Sequence, residues 1–248
     1  MRERIEAEMI HFIQEYQRTP ALPHLWQQPI IKYGDAFDPR FQELSQAVGT
    51  RHHLPQDYLP KATTVLSYFL PFQREVAVSN QGGGTCSPLW AQAYLYTNTM
   101  ATALHRHLVE YIRTLGFEAA IPTGTGMISH QEPRSHWSQR HVAYLAGQGT
   151  FGLNNMLISD RGCVGRYFSL VTTLPLAPDP VVTAERCLYK RNGTCGQCVN
   201  RCPVEALTVG GFDRFRCLDQ CLINDRLFPG ADVCGKCVVD VPCSFAIP

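Results

Sequence analysis

Nine of the chain's eleven cysteines fall in the 57 residues from Cys187 to Cys243. They run Cys187-x7-Cys195-x2-Cys198-x3-Cys202-Pro203, then Cys217-x3-Cys221, then Cys234-x2-Cys237-x5-Cys243. A polypeptide gathers thiols this way for metal, for disulfides or for thiol redox chemistry. With 248 residues and 45% hydrophobic content, the chain can build a core without covalent staples. Its first residues, Met1-Arg-Glu-Arg-Ile-Glu-Ala-Glu, are acidic where an export signal needs a basic start and an apolar stretch. No apolar run approaches the roughly 18 residues of a membrane span. These features predict a cytoplasmic protein with no membrane partner. In that reducing setting a disulfide framework is disfavoured, and an odd cysteine count leaves one thiol outside any pairing. Metal-bound thiolate is the reading that remains.

Two metal chemistries compete. A zinc ribbon would use Cys195/Cys198 and Cys234/Cys237 as two knuckles of one tetrahedral site. That leaves Cys187, Cys202, Cys217 and Cys243 idle and Pro203 unexplained. The bacterial double-cluster ferredoxin motif is Cys-x2-Cys-x2-Cys-x3-Cys-Pro, with the fourth cysteine reaching the other cluster. Cys195, Cys198, Cys202 and Pro203 match its end, and Cys187 stands first across a widened gap. Crossing the fourth ligands assigns Cys187, Cys195, Cys198 and Cys243 to one [4Fe–4S] cluster. Cys202, Cys217, Cys234 and Cys237 hold the second. Pro203–Leu207 is expected to start a short helix between the halves. Cys221 is spare and is an alternative to Cys217. Cys86 and Cys163 read as ordinary small residues.

Upstream of the cysteines, Ile5, Met9, Phe12, Ile13 and Tyr16 predict an amphipathic helix over 1–17, stopped by Thr19-Pro20. Residues 20–60 lack a clear period and are expected to wrap the surface. Ala62–Phe72 is β-branched and aromatic, a buried strand. Residues 73–88 read as a polar loop whose Gly82-Gly83-Gly84 lacks the Lys-Ser/Thr of a phosphate loop. Trp90–Leu115 is the strongest helix. His105 and His107 within it, two residues apart, do not share a face. Phe117–Pro122 reads as a short strand, 123–137 as a loop and Gln139–Gly147 as a helix. Phe151–Ser159 and Arg166–Thr173 read as a hairpin about Asp160-Arg161-Gly162. Proline-rich Leu174–Pro180 is expected to link two domains, 1–176 and 177–248.

The run Arg140-His-Val-Ala-Tyr-Leu-Ala-Gly-Gln-Gly-Thr-Phe-Gly-Leu-Asn-Asn-Met-Leu-Ile-Ser159 resembles the helix and glycine loop of epoxyqueuosine reductases. Tyr167–Leu176 and the cysteine module follow in matching order, and Ala62–Phe72 is similar to an early strand of that family. The resemblance covers about residues 55–245. It implies an α/β (α+β) fold: a nitroreductase-like cobalamin-binding body with a C-terminal ferredoxin-like module. That body is shared with reductive dehalogenases and a cobalamin-processing chaperone. It also implies a cobalamin reduced by the clusters. The chain departs from the family twice. Its proton-donor aspartate, in a Val-Asp-Thr segment, matches Pro122 of Ile121-Pro122-Thr123, and its Gly-Lys-Asn is here Gly152-Leu153-Asn154.

The glycine loop follows a helix and precedes a strand, the reverse of a dinucleotide fingerprint. Gly147, Gly149, Gly152, Asn154 and Asn155 are therefore candidates for close approach to a large planar cofactor. His130, His136, His141 and Tyr144 are candidate proton donors in place of the missing acid. The function expected is an iron–sulfur oxidoreductase that passes electrons through two clusters to cobalamin. The corrinoid itself or a small organic molecule would be reduced, with a ferredoxin or flavodoxin as donor. The alternative is a non-catalytic electron-transfer or corrinoid-carrier protein that activates a partner enzyme. A net charge of +1 and the missing acid argue against tRNA as a partner.

Overall fold

The computed structural model describes residues 1–19 and 22–248. The first helix, α1 (Arg2–Gln17), buries Ile5, Met9 and Ile13, one per turn, as the spacing requires. The Pro20 stop lies outside the described residues. Strand β1 (Ile30–Asp35) and helices α2 (Arg40–Val48) and α3 (Pro55–Tyr58) follow. The expectation of an unstructured wrap over 20–60 is thus corrected. β1 is an edge strand with only Tyr33 and Gly34 buried, so its alternation is weak in the sequence.

β2 (Thr64–Pro71) is buried at every position. The next helix, α4 (Arg74–Ser79), occupies part of the stretch expected as loop. α5 (Pro88–Thr114) starts two residues before the expected Trp90. Ser87 caps it by accepting the Trp90 amide at 3.1 Å, and Pro88 sits in its first turn. Then come β3 (Ala119–Ala120), α6 (Gln139–Leu145), β4 (Thr150–Phe151), β5 (Leu157–Ile158) and β6 (Gly165–Thr172).

The main sheet has the order β1-β2-β6-β3, all antiparallel, with Tyr68 opposite Phe168 and Leu70 opposite Arg166. Period-two alternation splits β2 between two cores. Leu66, Tyr68 and Leu70 join Met100, Leu104 and Leu108 of α5. Val65 meets Trp137, Val142 and Leu145 around α6, and Phe69 stacks on Tyr167. Both faces are covered, which is why β2 reads as one continuous apolar run. Each large side chain buried this way stabilises the fold by about 1.5–3 kcal/mol.

The expected hairpin of 151–159 with 166–173 does not form. β4 pairs with β5, while β6 enters the sheet centre between β2 and β3. Ser159 and Gly162 share only an isolated bridge. That turn is pinned by the C-terminal segment, because a Cβ on Gly162 would lie 2.4 Å from the Ser244 carbonyl. The proline-rich segment is no loose linker either. The Asp179 carboxylate accepts bonds from Arg2 (2.8 Å), Lys32 (3.4 Å) and the Tyr33 amide (2.9 Å), strapping 174–180 to α1 and β1.

The cysteine-rich segment carries α7 (Leu188–Asn192), α8 (Gln197–Asn200), the β7 (Leu207–Thr208)–β8 (Gly211–Phe212) hairpin and α9 (Arg214–Leu227). Pro203–Leu207 is a turn instead of the expected helix, with Glu205 at φ 53°. The segment packs directly on the body. Cys187, Ala231, Val238 and Val239 share the main core with Trp90. The Lys236 ammonium, 2% exposed, donates to the Asn80 and Gly82 carbonyls, the first at 2.9 Å. Arg201 donates to the Gln81 carbonyl and Gln220 to that of Gly84. The triple-glycine stretch is therefore a row of acceptors for the cysteine segment. Among the described residues, no helix is long and apolar enough to cross a membrane.

Candidate redox centre

α7 and α8 bring the first thiols together. Cys187, Cys195, Cys198 and Cys243 line one cavity, with Gly152, Leu153, Tyr189 and Pro242. Burial, then the thiols of Cys243, Cys187 and Cys195, push the Cys198 thiol up to about 11. The last cysteine in sequence thus shares a space with the first three.

A second group forms between α9 and the turn at 234–237. Burial, then Cys234 and Cys217, with Cys198 and Cys202 beyond them, push the Cys237 thiol well up. Cys234 rises to about 11, chiefly by burial, with Cys217 and Cys202 adding to it. Cys198 is the member of the first group that Cys237 senses, so the groups adjoin. Closely packed buried thiols disfavour one another's ionisation, and positive charge among them would reverse that. The Ala206 amide donates to Cys202 Sγ at 3.2 Å, the kind of contact that tunes a ligand sulfur. Among the described residues, no three or more His, Cys, Asp or Glu converge as ligands of a single ion.

Two other thiols adjoin these groups. Cys221 lies one turn after Cys217 on α9, and its thiol is the main influence that lowers Cys217 to about 7. Cys163 is wholly buried, its Sγ 3.9 Å from Cys243 Sγ and its amide 3.0 Å from the Cys243 carbonyl. It touches a candidate ligand, which the reading of an ordinary small residue did not foresee. Cys86 is buried in the main core, its amide donating to Asn224.

The candidate proton donors are not brought to one point. His130 is exposed on the loop before α6. His136 Nδ1 lies 2.8 Å from the Arg51 carbonyl, and its ring stacks on His53 at 5.2 Å. His141 Nδ1 lies 2.8 Å from Ser138 Oγ. Burial, with Arg140, His52 and Arg214 nearby, pushes His141 down to about 4 and keeps it neutral. Tyr144 and His141 both meet Phe151, at 6.1 and 4.8 Å between ring centres.

Sequence reasoning missed three residues. His52 is buried, with Nε2 accepting the Ser138 amide at 2.9 Å and Nδ1 2.8 Å from the His53 carbonyl. Burial pushes it down to about 4. His53 Nδ1 lies 2.8 Å from the Tyr58 hydroxyl, which donates to the Thr123 carbonyl at 2.6 Å. Tyr58 therefore holds the residue beside Pro122. The adjacent His52-His53 pair was the available signal, hidden in a stretch read as surface wrap.

The glycine loop serves packing first. A Cβ on Gly149 would fall 2.0 Å from the Ile158 carbonyl, and one on Gly147 2.4 Å from that of Pro180. Both glycines are demanded by neighbouring backbone, whereas Gly152 faces the first thiol cavity. The Asn154 amide donates to the Cys237 carbonyl at 3.1 Å, so this loop touches both thiol groups. Asn155, at φ 57°, offers its carbonyl to Arg140 at 2.8 Å. Arg140, at the start of α6, is exposed, and its guanidinium is held below its usual range by burial of its charged end, with the thiols of Cys237 and Cys217 and the charges of Arg166 and Arg214 also felt there.

In fold, the chain matches solved epoxyqueuosine reductases and reductive dehalogenases. The structure of the Streptococcus thermophilus epoxyqueuosine reductase matches with a TM-score of 0.59 at 19% identity, covering 96% of this chain and 66% of that one. A catabolic reductive dehalogenase matches with 0.54 at 16%, covering 84% and 28%. By sequence the chain is homologous to epoxyqueuosine reductases. Those of Bacillus cereus and Bacillus anthracis are 27% and 26% identical over 175 residues, 66% of this chain and 41% of theirs. The chain thus spans about two fifths of those relatives' length. No family model matches it. The expected exclusion of tRNA is overturned. A further epoxyqueuosine reductase, with a TM-score of 0.56 at 17% identity over 98% of this chain and 66% of that one, was solved with an epoxyqueuosine-modified tRNA-Tyr stem loop. Near-neutral charge was a poor guide, because a nucleic-acid contact needs local cations, not a net surplus.

Proposed function

We propose that the chain is an iron–sulfur oxidoreductase that delivers electrons to a bound cobalamin, reducing the corrinoid or a substrate beside it. Cys187, Cys195, Cys198 and Cys243 hold one [4Fe–4S] cluster; Cys202, Cys217, Cys234 and Cys237 hold the other. The observation that carries this reading is the seat of Cys243 in the cavity of Cys187, Cys195 and Cys198, 41 residues beyond Cys202 in sequence. That crossing is the mark of a double-cluster relay and serves no purpose in a zinc ribbon.

The surface around Arg140, near the second thiol group, suits the corrinoid. A corrin offers a broad apolar ring edged by amides. That surface supplies Arg140 as a donor and Met156, whose sulfur lies 3.3 Å from Arg140 Nη1. The corrinoid, when bound, supplies a low-valent metal nucleophile. The chain's own residues bind and orient it, shield it from water, and hold His141 neutral as a hydrogen-bonding partner. A small one-electron carrier of ferredoxin or flavodoxin type supplies the electrons.

Pro122, where the relatives' proton donor is expected, favours a second reading. In it the chain reduces a corrinoid for a partner enzyme and transfers no proton itself. One anaerobic preparation tests both. About eight irons with matching sulfide, and corrin spectral changes on titration, support the reading. Zinc without iron defeats it. Cys198→Ala is expected to lose half the iron, and retention of all of it defeats the ligand assignment. Turnover of an epoxyqueuosine-modified stem loop, set against bare corrinoid reduction, separates the two roles.

A further inference from the structure

Cys163 belongs to the body, just before β6, and the ligand assignment gives it no cluster to hold. It is fully buried, and its Sγ lies 3.9 Å from Cys243 Sγ. Its partner is differently placed. Cys243 is half-buried and lines the first thiol cavity with Cys187, Cys195 and Cys198. One thiol of the pair thus faces a space that a small molecule can enter, and the other stands directly behind it.

Both backbones are fixed where the two sulfurs meet. The Cys163 amide donates to the Cys243 carbonyl at 3.0 Å and to that of Ser244 at 3.2 Å, and the Val164 amide donates to Ser244 at 3.1 Å. On the body side the Val164 carbonyl accepts the Phe72 amide at 3.0 Å. On the other side Ser244 Oγ donates to the Val238 carbonyl at 2.8 Å and accepts the Val241 amide at 3.0 Å. A disulfide is about 2.0 Å long, so the sulfurs have about 2 Å to close. Rotation about χ1 carries a cysteine sulfur that far without moving the backbone.

A cysteine oxidised to its sulfenic acid has two fates. It condenses with a neighbouring thiol, or it goes on to the sulfinic acid, which thiols do not reverse. We propose that Cys163 is the resolving thiol of Cys243, forming a Cys163–Cys243 disulfide when a hydroperoxide oxidises Cys243 free of iron. The Cys243 sulfur attacks the peroxide, the O–O bond breaks, the S–OH bond forms and an alcohol or water leaves. The Cys163 sulfur then attacks the Cys243 sulfur. The S–S bond forms, the S–OH bond breaks, and hydroxide leaves as water with the Cys163 proton. The two sulfurs together give up two electrons, and the peroxide takes them. The value of this to a cluster rests on the ligand reading above; the pairing of the two thiols does not.

The test uses the full chain, loaded anaerobically with iron and sulfide, exposed to hydrogen peroxide, alkylated and digested without reductant. Mass spectrometry is expected to find a Cys163–Cys243 peptide in excess of any that joins Cys243 to Cys187, Cys195 or Cys198. Dithiothreitol with fresh iron and sulfide is then expected to restore the iron content. In Cys163→Ser, Cys243 is expected as sulfinic or sulfonic acid, and iron recovery falls to about half, one cluster of two. Cys86→Ser, which removes a thiol remote from Cys243 in the main core, is expected to give the wild-type peptide map. Absence of the Cys163–Cys243 peptide from wild type, or full iron recovery by Cys163→Ser, overturns the pairing. If Cys163→Ser takes up no iron, the wild-type peptide map decides alone. Linkage in a chain that holds no iron keeps the pairing and defeats the cluster reading. Full iron loading without linkage keeps the cluster reading and overturns the pairing.

Discussion

Cys221 offers the sharpest test of how the second thiol group works. It sits one helical turn, about 6 Å of rise, beyond Cys217 on α9, and its thiol pushes that of Cys217 down, as a donor to that sulfur would. If Cys217 is the ligand, Cys221 is a donor to a ligand sulfur. Cys221→Ala then leaves both clusters in place and removes one hydrogen bond, worth about 0.5–1.5 kcal/mol. A donor to the sulfur favours the reduced, more negative cluster, so its loss lowers the midpoint potential. For a one-electron couple at 59 mV per 1.4 kcal/mol, the fall is about 20–60 mV in one cluster and none in the other. Cys221→Ser keeps an O–H donor and is expected to fall less. Iron and sulfide analysis, followed by an EPR-monitored redox titration, reads both effects. A drop to half the iron in Cys221→Ala refutes the argument, since Cys221 would then be the ligand and Cys217 the donor.

Three further outcomes are expected. His52 is pushed down from 6.5 to about 4 in the folded state, so its stabilisation is full above pH 6.5 and is lost as pH falls from there towards 4. The loss is at most about 3 kcal/mol, and His52→Gln, which keeps an acceptor for the Ser138 amide, should flatten that part of the pH dependence of urea unfolding; an unchanged slope would show that His52 protonates freely. Gly235→Ala forces a Cβ to 2.1 Å from the Trp90 ring at a φ of 72°, and is expected to red-shift tryptophan emission and cut the iron content, whereas wild-type values for both would place the contact elsewhere. Asp179→Ala removes the acceptor shared by Arg2, Lys32 and the Tyr33 amide; a loss of about 1–3 kcal/mol in denaturant unfolding, with iron retained, is expected.

What could be read in advance follows from how many constraints act on each residue. β2 and α5 were legible because burial on both faces or along one stripe leaves a pattern in the chain itself. The thiol spacing was legible because a cluster motif is local. β1 was not, because an edge strand with two buried residues carries little alternation. The hairpin reading failed at Gly162, whose conformation is set by Ser244 and Phe245, 82 residues further on. The same holds for His52 and Tyr58: their partners, Ser138 and Thr123, are more than 60 residues away. The missing proton donor was visible as Pro122 in the chain itself.

The row of carbonyls at residues 80–84 bears on heredity as much as on structure. On its own side the cysteine segment has only Cys198, Leu207 and Val241 as a separate buried cluster. Among its anchors, Lys236, Arg201 and Gln220 end on body carbonyls, and Gly235 packs against Trp90. Such a segment is not a cassette. Recombination that carried it to another protein would take the thiols and leave behind the acceptors that seat them. The thiols and the body therefore depend on one another, and change in the glycine stretch is constrained by a lysine more than 150 residues away.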